Sequence, residues 1–207
     1  MEREVAILTM SSKNGGYCVA GIDVENGKWI RLVSNDNKTH GALSNEDIKY
    51  QNGQYCKPLD LVQIPIIRNA PLEHQPENVL IDSSKYWRKV RTLTLDDVLK
   101  MHPVEYHFFL LGNQYAYITE AGIGNVDHSL IIVEVSDLTV EHPTERSTKA
   151  TFTYRGVIYK DISVTDRDFY SVPNLWYTKK AVLVMSLPDA PYNGNWYYKF
   201  IAKIFPI

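Results

Sequence analysis

Apolar residues recur at every second position in one short run after another, and that period of two limits what this chain can fold into. The runs EVAILTM, GYCVAGI, KWIRLVS, LDLVQIPII, SLIIVEVSDLTV, KATFTYRG, VIYKDISV, KKAVLVMSL and WYYKFIAKIF alternate or are rich in β-branched and aromatic residues. Most are bounded by Gly, Asn, Asp or Pro, so they read as strands. Asn14-Gly15, Asn26-Gly27, Asn52-Gly53 and Asn193-Gly194 supply the positive φ of tight turns. Successive hairpins of this kind imply a barrel or a sandwich.

Helical signals are few. Thr94 precedes Leu95, Val98 and Leu99, with Asp97 three residues after it, which predicts a capping box opening a helix through about Met101. Ser44 with Asp47 is a weaker copy. The glycine-rich segment AGIGNVDH, residues 121–128, precedes a long strand signal and marks the expected boundary between an N-terminal unit, 1–124, and a C-terminal unit, 125–207. HPTERSTK, residues 142–149, reads as a connection between two strands of the second unit.

Composition excludes several classes. With 44% hydrophobic and 22% charged residues the chain is neither disordered nor a helical membrane protein. The stretch MEREVAILTMSSK, a short apolar run that alternates into polar residues, does not read as a cleavable secretory signal, and Cys18 and Cys56 form no CxxC pair. The expected location is therefore cytoplasmic, with no disulfide framework. A net charge of -2 gives no global basic field, so nucleic-acid binding would need a local patch. The 14 tyrosines and 4 tryptophans suit both strands and stacking surfaces.

One hairpin poses a specific question. In GYCVAGIDVENGKWIRLVS, a two-residue loop at Asn26-Gly27 pairs Glu25 with Lys28 and puts Arg31 on the face of Ile22. A type I turn with a left-handed Gly27 pairs Val24 with Lys28 instead. That second register is the expectation, since it gathers Cys18, Ala20, Ile22, Ile30 and Leu32 on one apolar face. Trp29 and Arg31 then lie on the other, with Gly21 across from Arg31. There they would stack on a base and pair with a phosphate; the alternative is that Asp23 neutralises Arg31 and Trp29 is covered.

SSKNGGYCVAGI followed by GKWIRLVS, HQPENVLID with Trp87 soon after, FTYRGVIYKDISVTD, and the closing VLVMSL and YYKFIAKIF carry a resemblance spanning nearly the whole chain. The sequence resembles the dual OB-fold family of bacterial proteins. The resemblance implies an all-β fold of two OB-like small barrels with one or two short inserted helices. By analogy with other OB domains it also implies a nucleic-acid or oligosaccharide ligand. No catalytic residue comes with it.

The strongest local motif is SSKYWRKVR, where Lys85, Arg88, Lys89 and Arg91 interleave with Tyr86 and Trp87, as in a single-strand groove. A solvated face beside a buried Trp87 would look the same. A second basic set, Lys149, Arg155, Lys160, Lys179, Lys180, Lys199 and Lys203, lies on C-terminal strand signals, as one surface or several. Gln75, Glu77 and Asn78 could read base edges or tie down a loop. Thr165, Asp166 and Asp168 suit a turn better than a cation site.

No nucleophile, base and orienting group come together in the sequence, the histidines show no ligand spacing, and no metal or cofactor is indicated. The expectation is a non-catalytic module for single-stranded DNA or RNA, or structured RNA, with little sequence specificity. Its expected contacts are Lys13, Trp29, Arg31, Lys85, Tyr86, Trp87, Arg88 and Lys89. The alternative is a protein-interaction or nucleotide-sensing subunit of a larger bacterial complex.

Overall fold

The computed structural model describes residues 1–207 and divides into two compact units. Unit 1 comprises Met1–Leu72 and Pro76–Pro103; unit 2 comprises Glu73–Gln75 and Val104–Ile207. The division at Pro103 falls before the glycine-rich segment 121–128, the expected boundary. Helix α2 (Glu120–Ile123) occupies that segment, and Ile123 and Val126 pack into the core of unit 2, so it belongs wholly to that unit.

Unit 1 holds β1 (Glu2–Lys13), β2 (Gly16–Asp23), β3 (Trp29–Val33), β4 (Asp60–Asn69), β5 (Asn78–Ile81), β6 (Arg88–Thr92) and helix α1 (Leu95–Met101). The sheet order is β1-β2-β3-β5-β4-β6, and a further β1–β4 pairing returns it to its start. β3 and β5 are parallel and the other pairs antiparallel, the arrangement of an OB barrel. β1 serves both β2 and β4 because a register shift between Ile7 and Thr9 bends it. At that bend Gly21 lies so close to β1 that a Cβ on it would stand 2.1 Å from the Ala6 carbonyl oxygen. Val5, Ile7, Val19, Ile30, Leu32, Val62, Ile64 and Trp87 fill the interior.

Unit 2 contains β7 (Tyr117–Thr119), α2, β8 (Leu130–Thr144), β9 (Ser147–Tyr154), β10 (Val157–Val164), β11 (Trp176–Ser186), β12 (Trp196–Tyr198) and β13 (Phe200–Pro206). Five of these strands close as β10-β13-β11-β8-β9, with β10 and β13 parallel, which repeats the topology of unit 1. β12 leaves the barrel between β11 and β13 to pair with β7. The all-β fold of two OB-like barrels with few helices is therefore the structure adopted.

The expected capping box is present: Thr94 Oγ1 accepts from Asp97 N, and Asp97 accepts from Thr94 N at 2.9 Å. Ser44 and Asp47 make the same reciprocal bonds, yet only turns follow them.

The β2–β3 hairpin adopts neither expected register. Val19 pairs with Leu32, Ala20 with Arg31, Gly21 with Ile30 and Ile22 with Trp29, so residues 24–27 form a four-residue loop. Asp23 explains the difference: its carboxylate accepts from Glu25 N and Asn26 Nδ2, and its carbonyl from Gly27 N at 2.8 Å. Side chain-to-backbone bonds of this kind stabilise a wider turn than Asn-Gly alone would need. Val19, Ile30 and Leu32 consequently face the core, whereas Cys18, Ala20 and Ile22 share the other face with Trp29 and Arg31. Cys18, expected to face the core, is half-buried on the arginine's side.

Candidate nucleic-acid interface

Arg31 is 3% exposed and forms an ion pair with Glu77, Nε to Oε1 at 3.4 Å. Its Nη1 also lies 2.8 Å from Cys18 Sγ, and its backbone N–H donates to the Glu77 carbonyl. Burial works against the guanidinium charge, but Cys18 and Glu77 outweigh it and raise the arginine's pKa. The expectation that Arg31 meets phosphate is thus corrected: its donors are turned inward to Glu77 and Cys18. Asp23, the partner considered for it, pairs with Arg3 instead, at 3.2 Å.

Trp29 is half-buried, its ring edge-on to His102 with centroids 5.4 Å apart, and His102 Nδ1 bonds the Gly27 carbonyl oxygen at 2.8 Å. The tryptophan therefore packs the end of α1 against the hairpin loop. Trp87 needs a plainer correction. It is 1% exposed and lies in the unit 1 core, bridged to Tyr50, with no face offered to a base. The bulk of Trp87 anchors the strand that follows it.

That strand is β6. All five of its residues are exposed, and it ends the sheet, paired only with β4. Arg88 bonds the Gln63 side chain, directly opposite it in the ladder. Lys89 pairs with Asp60, a buried carboxylate that also accepts from Tyr50 Oη at 2.8 Å. Lys85 pairs with Asp82 at 3.0 Å across the preceding turn. Hydrogen bonds from Ser84 and then Lys85 hold the Asp82 carboxyl down to about 2, so it stays ionised. Tyr86 stands among these cations with 57% of its surface exposed. Lys85 and Tyr86 lead into β6, and on the strand itself Arg88 turns to Gln63 while its neighbour Lys89 turns to the other face and Asp60, with Arg91 two residues further on.

Lys13 closes β1 beside the Asn14-Gly15 turn. That turn and Ser83 line one open cleft of about 590 Å³, together with Ser34, Asp36, Leu43 and Asp47. Lys13 and the segment leading to Tyr86 consequently lie at the same end of unit 1. Asp60 and Gln63, which hold two of the cations, carry no local signal in the sequence, because they come from a strand more than twenty residues upstream.

The C-terminal basic set does not form one surface. Lys199 is fully buried and donates to the carbonyl and the side-chain oxygen of Asn113, the latter at 2.7 Å. Lys203 is buried against Asp166 and Asp168. Asp166 also accepts from Asp168 N and Ile204 N, which makes this acidic pair a turn clasp. Gln75 donates to the Leu187 carbonyl oxygen.

No curated protein and no solved structure matches the chain. The family model for the dual OB-containing domain matches residues 3–204, which agrees with two barrels of like topology. This chain belongs to the dual OB-containing domain family.

Proposed function

We propose that the protein is a non-catalytic module that binds single-stranded nucleic acid along β6 and the turn before it. Lys85, Arg88, Lys89 and Arg91 contact phosphates, and Tyr86 stacks on a base. The observation carrying this reading is the solvent-facing, cation-rich β6 with an exposed ring two residues before it. Cations set along an extended backbone follow a strand of phosphates, and an unpaired base presents a ring-sized face. Recognition through phosphates and stacking carries little sequence information. With a net charge of -2 the chain as a whole does not attract a polyanion, so binding of this kind needs a local patch.

Anisotropy of labelled single-stranded DNA, single-stranded RNA and duplex at two salt concentrations tests the proposal. If all four cations meet phosphates of a single strand, log affinity falls against log salt with a slope of about -2.8. Arg88→Gln with Arg91→Gln halves that slope, and Tyr86→Ala weakens binding about fivefold or more. Absence of binding at low salt, or binding indifferent to these substitutions, defeats the reading.

A further inference from the structure

Unit 2 bears a second exposed feature, with different chemistry. β7 and β12 form a two-stranded sheet in which Trp196 opposes Thr119, Tyr197 opposes Ile118 and Tyr198 opposes Tyr117. Alternation separates the faces: Ile118 and Tyr197 enter the core of unit 2, and Tyr117, Trp196 and Tyr198 lie on the opposite side. Tyr115 and Tyr192, 59% and 64% exposed, extend this side at its two ends. The rings touch in sequence. Tyr115 stacks on Tyr117 at 6.5 Å, Tyr117 meets Trp196 edge-on at 4.3 Å and Tyr198 at 6.0 Å, and Tyr198 meets Tyr192 at 6.1 Å.

Polar groups around the rings define the kind of ligand. The hydroxyls of the four tyrosines bond to no protein group, which leaves them to donate and accept elsewhere. The segments 113–124 and 189–198 contain no Lys or Arg, and their charged residues are Glu120 and Asp189. Both acids act on this sheet: after burial, Glu120, Glu73 and Asp189 are what raise the Tyr197 phenol above its ordinary value. The neighbouring Lys199 is buried beneath and spent on Asn113. These two segments offer a polyanion no counter-charge, and an apolar protein surface would strand the hydroxyls.

A pyranose satisfies both conditions, since its C–H face rests on an electron-rich ring and its hydroxyls pair with phenols, amides and carboxylates. Tyr117 meets Trp196 and Tyr198, and Tyr198 meets Tyr192, at 65–81° between ring planes, so the cluster offers ring faces and edges in turn to a ligand whose C–H face and hydroxyl rim also alternate. We propose that the Tyr115–Tyr117–Trp196–Tyr198–Tyr192 platform binds a neutral oligosaccharide. This assignment stands independently of β6.

The test titrates the full chain with cellohexaose, maltohexaose and chitohexaose, followed by tryptophan emission and calorimetry, at low and high salt. The expected result is saturable binding of at least one of them, unchanged by salt. Affinity should fall about tenfold or more in Trp196→Ala, and measurably in Tyr115→Ala and Tyr192→Ala. The last two remove mostly exposed rings and keep the test valid should Trp196→Ala disturb the sheet. Failure of all three sugars to bind overturns the proposal, as does binding that ignores every variant. It is equally overturned if the platform variants abolish oligo-dT binding instead, or dissociate a dimer seen by sedimentation.

Discussion

Replacing Arg31 by methionine separates a structural arginine from a ligand-binding one. Arg31 Nε and Glu77 Oε1 are 3.4 Å apart, with 3% and 6% of their side chains exposed. At an effective dielectric near 20 the attraction over that distance is about 5 kcal/mol, before the cost of removing both groups from water. Methionine retains the volume but leaves the Glu77 carboxylate buried beside a thioether. Breaking a buried pair from one side costs about 3–5 kcal/mol, a large part of the about 5–15 kcal/mol that holds a domain together. Arg31→Met with Glu77→Gln removes both charges, so most of that loss should return. Urea unfolding monitored by circular dichroism measures all three proteins. A single substitution costing under about 1 kcal/mol, or a double variant no better than the single, would refute the buried-pair argument. An unchanged unfolding midpoint with weakened nucleic-acid binding would return Arg31 to the ligand.

Two further substitutions test the barrels. Burial lowers the Lys199 pKa to about 7, against about 10.4 in an unfolded chain. Between those values the unfolded form holds a proton that the folded form has lost, so stability rises with pH across that window. Below it both forms are charged and the whole burial cost is present. The stability difference between the native chain and Lys199→Met should therefore shift in favour of the native chain as pH rises from about 7 to 10. A difference that stays flat contradicts this. Gly21→Ala places a methyl group against the Ala6 carbonyl, a backbone atom that cannot rotate away. A loss of about 1–3 kcal/mol is expected, and an unfolding midpoint equal to that of the native chain would show that β1 yields there at no cost.

The period of two made most strands legible, and the Thr94–Asp97 box marked α1 to the residue. The strands without a sequence signal are those whose residues lack that pattern. β6 is exposed on every residue, and β7 is three residues long. The run WYYKFIAKIF reads as one strand, yet it breaks at Lys199, which turns inward to Asn113 from another part of the chain. Register failed for a similar reason. Binary pattern ranked two turns, whereas Asp23, accepting from its own loop and from Arg3, selected a third. At the candidate site, alternation of rings and cations located Lys85, Tyr86, Arg88 and Lys89. It could not show that Trp87 between them is the core anchor, because a buried ring and a stacking ring are written with the same letter.

β6 also bears on how the molecule stays dispersed. The last strand of a sheet offers unpaired N–H and C=O groups to any other extended chain, and a flat apolar one invites copies to zip together. Arg88, Lys89 and Arg91 on that margin make a second copy of the strand repel the first. Substitutions that erase these charges would strip a guard against fibrous self-association, whatever they do to ligand binding, and glutamine with its polar bulk is a safer replacement than leucine. The same cations thus place evolution under two pressures at once, and solubility alone would be enough to keep them.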